Sequence, residues 1–458
     1  MPILESVLID FFQDHRAPIV LAYSGGIDSQ VLLHALAALK HQQLIENDLS
    51  ACYVHHGLSP NADAWQLFTQ QQCQLVNIPF KTLKLDLAKQ RQHSLEAQAR
   101  EARYQALQTI LPSNGWLVTG HHANDQLETL LLALKRGAGL KGLSAMLPLS
   151  KMTQGILARP LLNLSRNDIV NYAQQQHLTW IEDESNDDVH YDRNFLRQQI
   201  IPQLTARWPS MLSTVQRSVA HCQDAQTLLD ELAQVDLKQC QIDDQRLSVS
   251  QLITLTETRF NNVVRYFIAM QQLLMPSQVQ LQQLYQQIRA AQDKNPAVNM
   301  GAYWFRRYRD QLVITPSYKE LTHWQTSISN YADSTVILPD DVGQLKIYTS
   351  VMNGTLPFNE PKNSQRLPRH ILRLAHPSVG TKLSVRFEHH NPLVHPDNRA
   401  HSRSLKKLLQ ELAIPPWQRK RIPLLFIDDE LAALLGYFVC HKFQAKLGED
   451  CLVVQWQR

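Results

Sequence analysis

Short unbroken apolar runs alternate with helical spacing through the first half of the chain. Val20-Leu21-Ala22, Ala51-Cys52-Tyr53-Val54 and Trp116-Leu117-Val118 carry no polar position in alternation, as expected of strands covered on both faces. The first run is followed by Val31, Leu32, Ala35, Leu36 and Leu39, one face of a helix, and Leu95 to Tyr104 is a second strong helix former. This alternation predicts an α/β domain with a doubly wound parallel sheet over residues 1–208. From Pro209 the pattern turns helical and glutamine-rich, with apolar residues at helical spacing in Asp224–Leu232 and Gln278–Leu284. Asn299 to Pro316 reads as a hairpin, giving a mainly helical domain over 209–320. Residues 321–368, where Pro, Gly, Asp and Asn cluster from Pro339 to Asn363, read as a linker or insertion. Strand, helix and strand signals then predict a small α+β domain over 369–458.

The first strand runs into Tyr23-Ser24-Gly25-Gly26-Ile27-Asp28-Ser29. Glycines let backbone approach an anion, successive amides and a helix N-terminus aim donors at it, and two hydroxyls add more. That is a phosphate cradle. No lysine follows the glycines, so it is not the GxxxxGK[ST] loop. Asp28 makes sense in an anion site only with a cation between, and Mg2+ bridging it to phosphate oxygens is the expected arrangement. The other two strands end at His55-His56 and at His121-His122-Ala123-Asn124-Asp125. In an open parallel sheet the ligand crevice lies beyond those ends.

Composition narrows the compartment more than the chemistry. The net charge of +4 is a small difference between 45 basic and 41 acidic side chains among 458 residues, so local clustering matters more. Six cysteines without CxxC spacing indicate neither a zinc site nor a disulfide framework. There is no run of 18 apolar residues and no signal-peptide pattern, so a cytoplasmic protein without a membrane partner is expected.

Ser24 to Ser29 resembles the signature of the N-type ATP pyrophosphatases, the PP-loop family, which cleave ATP between its α- and β-phosphates and attach AMP to a substrate oxygen. The blocks His121–Gln126, Leu127-Glu128-Thr129, Lys135–Leu143, Arg159–Leu162, Asp183–Asp187 and Arg193–Arg197 are similar to the tRNA(Ile)-lysidine synthetase family, closely over roughly the first 200 residues. Glu184 stands where many relatives carry proline. Leu405–Glu411, Pro415–Arg419 and Pro423–Leu425 resemble that family's terminal domain.

This resemblance implies a ligase that adenylates the C2 carbonyl oxygen of the wobble cytidine in the CAU anticodon of tRNA(Ile), then joins free L-lysine. ATP is the co-substrate and Mg2+ the metal, and the oligomeric state stays open between monomer and homodimer. Ser24, Gly25, Gly26, Ile27, Asp28 and Ser29 would hold ATP, with His55 and either His121 or His122 near the nucleotide. Arg100 and Arg103 would act as clamps for phosphate or the tRNA backbone, against the alternative of ion pairs with Glu96 and Glu101. For Asp125 three partners stand open: Mg2+, the ammonium of lysine and the exocyclic amine of cytosine. Glu128, three residues on, either recognises lysine or favours its helix N-terminus. Arg193 and Arg197 would line a rim facing tRNA.

Because methionine tRNAs share the CAU anticodon, discrimination must come from elsewhere on the tRNA. Arg403, Lys406, Lys407, Arg419, Lys420 and Arg421 form a basic cluster suited to that, or else a solvated face. Trp304 to Arg309 interleaves aromatic and basic groups, as nucleic-acid surfaces and amphipathic strands both do. Three other functions fit the sequence less well. Sulfur transfer would want cysteine pairs, an ammonia-using synthetase a glutaminase domain or a different loop, and a nucleotide sensor would bind ATP without releasing pyrophosphate.

Overall fold

The computed structural model describes residues 3–57, 59–85, 95–290, 296–329, 331, 333–352, 371–378 and 380–458, with backbone alone for 95–100. The chain forms two compact units, Met1–Leu232 and Ala233–Arg458, whose boundary falls within the long helix Met211–Cys240.

The first unit is built on strands β1 (Ile19–Ala22), β2 (Leu49–His55), β3 (Phe80–Lys84), β4 (Trp116–Val118), β5 (Leu149–Lys151) and β6 (Ile156–Ala158). Their order is β3-β2-β1-β4-β6-β5, parallel except for β5 against β6. The unbroken apolar runs have a simple cause. Ile19, Leu21, Ala51 and Val118 join a core with helices α1 (Ile3–Phe12) and α2 (Ile27–His41), while Val20, Cys52, Val54 and Leu117 pack on the opposite face with Leu107 and Leu111. Both faces are dry, so neither can be polar. Helices α3 (Ala62–Leu75), α4 (Leu95–Ile110), α5 (Ala123–Lys135), α6 (Leu140–Leu143) and α7 (Arg166–Gln175) complete the wrapping. The chain winds outward from β1 to β3 and then returns to β4 on the other side of β1. The topological switch therefore lies between β1 and β4, where crevices form.

In the second unit, helices Glu257–Met270 and Gln278–Gln287 bury Phe260, Val263, Val264, Phe267, Leu281 and Leu284. They share a core with a five-stranded sheet ordered Gln241–Asp243, Arg246–Ser248, Gln311–Pro316, Tyr303–Tyr308 and Ala297–Asn299. Among the described residues the rest includes a five-stranded and a four-stranded antiparallel sheet that contribute to one core, a two-stranded pairing of Leu393–Val394 with Arg403–Ser404, and the helices Leu405–Glu411 and Pro416–Arg419.

One expectation needs correction. Within 321–368, read as linker or insertion, Gln325–Ile328, Asp333–Ile337 and Gln344–Val351 are strands, the last paired along its whole length with Asp450–Gln457. Leu345 and Ile347 are buried between outward Lys346 and Tyr348, an alternation overshadowed by the neighbouring Pro339-Asp340-Asp341 turn. Residues 353–370 lie outside the described part. Among the described residues no helix is long and apolar enough to cross a membrane.

Candidate active site

The turn after β1 is shaped by two close approaches. Gly25 sits at φ +83°, and a Cβ there would fall 2.4 Å from Ile181 Cδ1. The Ile181 amide donates to the Gly25 carbonyl at 2.9 Å, pinning the turn from outside. Gly120, just after β4, would place a Cβ 3.0 Å from Asp28 Cβ, so its bareness brings the end of β4 against the start of α2. Gly26 is the N-cap of α2 and brings no side-chain cap, leaving first-turn amides to serve an anion. Ser29 Oγ donates to the Gly26 carbonyl at 2.9 Å and lies 3.1 Å from Ser24 Oγ. Ile27 is a buried core residue that anchors the helix start.

Asp28 is not alone. Arg166, the first residue of α7, makes an ion pair with its Oδ1, and His122 Nε2 lies 3.6 Å from the same oxygen. Arg166 is placed by a capping box, Ser165 Oγ accepting from the Asp168 amide and Asp168 from Ser165, and its own amide donates to Asn124 Oδ1 at 3.0 Å. His122, the N-cap of α5, is 3% exposed and its Nδ1 has no hydrogen-bond partner among the described residues.

Asp125 and Glu128 point the same way from α5 and share two arginines. Asp125 Oδ2 accepts from the His122 amide at 2.9 Å, and its Oδ1 accepts from Arg193 Nη2 and Arg197 Nη2 at 3.1 Å each. Glu128 is fully buried and accepts from Arg193 Nε at 2.6 Å and Arg197 Nε at 2.7 Å. Burial pushes the Asp125 carboxyl up, but the charges of His122, Arg193 and His121 and the His122 amide together hold it well below the usual carboxylate range. Burial likewise opposes charge on Arg197, yet Glu128 and Asp125 hold its guanidinium above its ordinary pKa. The two arginines come from the helical turn Asp192–Phe195 and the π-turn Leu196–Ile200, four residues apart.

Thus the arginines expected on an outer rim and the glutamate expected either on lysine or at its helix N-terminus are in contact with each other. A fully buried carboxylate needs paired positive charge, which no sequence spacing announces. Arg166 was missed, and His122 stood only as the alternative to His121. The available signal was the S-x-x-D capping box of Ser165 to Asp168, which fixes an arginine at a helix start.

Other expected residues have partners of their own, although His121 lies close enough for its charge to act on Asp125. His55 Nε2 pairs with Asp63 Oδ1 at 3.1 Å, and His121 Nδ1 shares a hydrogen bond with Thr119 Oγ1 at 2.8 Å. His56 is pushed down to about 4 by burial, by Arg103 and by His55. Arg103 also lies over the Tyr104 ring at 5.6 Å. The Arg100 side chain is outside the described part. Burial pushes the Cys52 and Cys73 thiols up to about 12, and all six cysteines are unbridged.

In the second unit the basic cluster divides. Lys406 and Lys407 are exposed on helix Leu405–Glu411, whose Leu405, Leu408 and Leu409 are buried. Arg419 Nε donates to the Ile414 carbonyl at 2.8 Å. Arg421 is 14% exposed, ion-paired with Asp340 at 2.6 Å and stacked 4.2 Å from the Tyr318 ring. An arginine so held has little left for a phosphate. Trp304 to Tyr308 is an amphipathic strand: Phe305 and Arg307 face inward, and Arg306 lies over the Trp304 ring at 4.8 Å and the Trp417 ring at 5.8 Å.

Residues 3–204 match the PP-loop domain family, residues 247–313 the TilS substrate binding domain and residues 383–456 the TilS substrate C-terminal domain. The chain is 40% identical over 444 residues to the tRNA(Ile)-lysidine synthase of Serratia proteamaculans (strain 568), covering 96% of this chain and 95% of that one. It is 38% identical over 460 residues to the enzyme of the same name from Vibrio campbellii (strain ATCC BAA-1116), covering 98% and 97%. A PP-loop turn at the switch point of a parallel sheet, followed by both TilS domains, thus extends along nearly the whole length of such relatives, and the chain belongs to the tRNA(Ile)-lysidine synthase family.

Proposed function

We propose that this chain adenylates the C2 carbonyl oxygen of the wobble cytidine in the CAU anticodon of tRNA(Ile), and that free L-lysine then displaces AMP to leave lysidine. In the first step the oxygen attacks the α-phosphorus and pyrophosphate leaves. In the second the lysine amine attacks C2, the C–O bond breaks and AMP departs with the oxygen, while the amine loses its proton. Decoding would change from AUG to AUA. The observation that carries this reading is the uncapped start of α2, with Ser24 and Ser29 beside it, opposite Arg166 and His122 across the β1/β4 switch point.

Activation comes first because a carbonyl oxygen on a ring is a poor leaving group and AMP a good one. The protein then has to position reactants and neutralise charge, with no covalent enzyme intermediate. Ser24, Gly25, Gly26, Ile27 and Ser29 would hold the phosphates. Among the described residues no group of three His, Cys, Asp or Glu is placed to hold a metal ion. Mg2+ does not need one, since it commonly takes one or two carboxylates with phosphate oxygens and waters. Asp28 fits that demand, and Mg2+ there would neutralise pyrophosphate charge. The lysine ammonium would reach Asp125 or Glu128 only by displacing an arginine, and Asp125 already has enough partners to account for its burial.

We read residues 1–208 as the catalytic part and 209–320 and 369–458 as tRNA-binding, working in the cytoplasm. The test is incubation with tRNA(Ile), labelled ATP and lysine, followed by nucleoside analysis. Lysidine with equimolar AMP and pyrophosphate is expected. ADP as the main product, or ATP binding without pyrophosphate release, would overturn the reading.

A further inference from the structure

The second unit holds a cavity of about 590 Å3 that the proposed chemistry does not use. Its size is that of small-ligand sites, which run from roughly 300 to 1,000 Å3. The walls are aromatic. Half-buried Trp324 is braced from behind by Phe387, ring centroids 5.4 Å apart, and Phe426 lies under the Arg386 guanidinium at 4.7 Å. Arg386 is fixed by an ion pair with Asp429, and its Nε is buried without a partner among the described residues. The cavity thus offers two flat surfaces, an indole and a guanidinium already stacked on a ring, and both suit a planar π-system.

The polar groups say which planar system. Glu388, Asp429 and Glu430 outnumber Arg386, the one cation among Arg and Lys in the lining. A phosphate would be repelled. His389 Nδ1 accepts from the Asn391 amide at 3.1 Å, so a neutral ring carries its proton on Nε2 and can donate there. Burial and neighbouring His390 hold His389 toward that neutral form, against the pull of Glu388. Asp429 and Glu430 are engaged by Arg386 and Lys442, whereas exposed Glu388 makes no ion pair among the described residues. Glu388 is the acceptor left for an incoming amine, and carboxylates accept from the exocyclic amines of bases.

We propose that this cavity takes one unstacked nucleobase bearing an exocyclic amine, from the single-stranded 3′ end of the tRNA. The identification of the source rests on the tRNA reading above. The anticodon is committed to the reaction, most loop bases of a folded tRNA are tied up in tertiary pairs, and every tRNA ends in unpaired C, C and A, all three amine-bearing. Unpaired RNA bases are commonly read by stacking on aromatic or arginine planes with hydrogen bonds to their edges.

The test is affinity, separate from turnover. Full-length protein, its Trp324→Ala and Glu388→Gln variants are each titrated with intact tRNA(Ile) and with the same tRNA lacking its last three nucleotides. Truncation is expected to weaken the parent about tenfold, the scale of one stacked base. Trp324→Ala is expected to lose about as much on intact tRNA and nothing further on truncated tRNA, with Glu388→Gln showing a smaller loss of the same kind. Unchanged affinity of the variants for truncated tRNA shows that they are folded. If Trp324→Ala does not fold, Glu388→Gln and Trp324→Phe carry the comparison. A truncation penalty equal in parent and variants overturns the proposal. Lysidine formation by the parent is scored in parallel: its absence would sink the functional reading, whereas its presence with no truncation penalty would sink only the base pocket.

Discussion

Arg166 and Asp28, 138 positions apart in the chain, form an ion pair where the turn after β1 faces the start of α7. Both are partly open to solvent, at 41% and 32% exposure, so the pair is accessible to a ligand. Asp28 lies in the first turn of α2, beside amides suited to phosphate, and Arg166 balances its charge. On the proposed reading, ATP and Mg2+ would take over that balance and free the Arg166 fork for a phosphate oxygen.

Asp28→Asn is therefore expected to lower tRNA-dependent AMP release by about 10- to 100-fold while tRNA affinity stays within a few-fold, since on the proposed reading it removes a charge-assisted contact to Mg2+ and no tRNA contact. Arg166→Ala should raise KM for ATP by roughly tenfold or more, on the scale of one charged hydrogen bond. Initial rates across ATP concentrations decide. Near-parental AMP release by Asp28→Asn would remove Asp28 from the site.

Glu128 is fully buried between Arg193 and Arg197. Neutralising it by Glu128→Gln leaves two guanidinium groups short of a partner, and breaking a buried pair from one side costs about 3–5 kcal/mol. Both arginines keep some solvent access, so the lower end applies. The first unfolding transition should drop by roughly 6–12 °C, at about 2–4 °C per kcal/mol for a unit of this size. Calorimetry checks it, and Arg197→Gln on top of Glu128→Gln should recover part of the loss. A drop under about 2 °C would mean that the cluster contributes little to stability.

The parallel sheet was legible because its strands are dry on both faces, which leaves runs such as Val20-Leu21-Ala22 with no polar interruption. The Ser24–Ser29 turn was legible because phosphate chemistry demands particular residue types in consecutive positions. Arg166, the choice of His122 over His121, and the grouping of Asp125 and Glu128 with Arg193 and Arg197 were not, because the partners come from separate segments and only tertiary packing joins them. Arg421 shows the same limit. Its role turned on Asp340, 81 positions away, in a turn read as part of a linker.

His56 gives a pH signature. Its pKa is pushed down to about 4 from 6.5, so between those values the unfolded chain binds more protons than the folded one. Stability from this residue is therefore present above about 6.5 and is lost as pH falls toward 4. The parent's Tm should decline between pH 7 and 5, and His56→Gln should show a smaller decline over the same interval. Parallel curves for the two proteins would show that His56 is not the group responsible.

The basic segment of the second unit no longer acts as one cluster. Lys406 and Lys407 are exposed, and if they lie against tRNA phosphates each contact releases condensed counterions, so affinity falls steeply with salt. Lys406→Ala should weaken binding and flatten the plot of log affinity against log salt by about 0.7–0.9, the value of one phosphate contact. Arg421 is spent on Asp340 and Tyr318, so Arg421→Ala should lower stability and leave the salt slope unchanged. Arg419, bound to the Ile414 carbonyl through Nε, still has its terminal nitrogens and should fall between. Filter binding across a salt series on all three variants, with Tm measured beside it, separates the two kinds of effect. A slope change in Arg421→Ala equal to that in Lys406→Ala would mean that the Asp340 pair opens when tRNA binds. No slope change in Lys406→Ala or Lys407→Ala would make this helix a solvated face and move the tRNA footprint elsewhere.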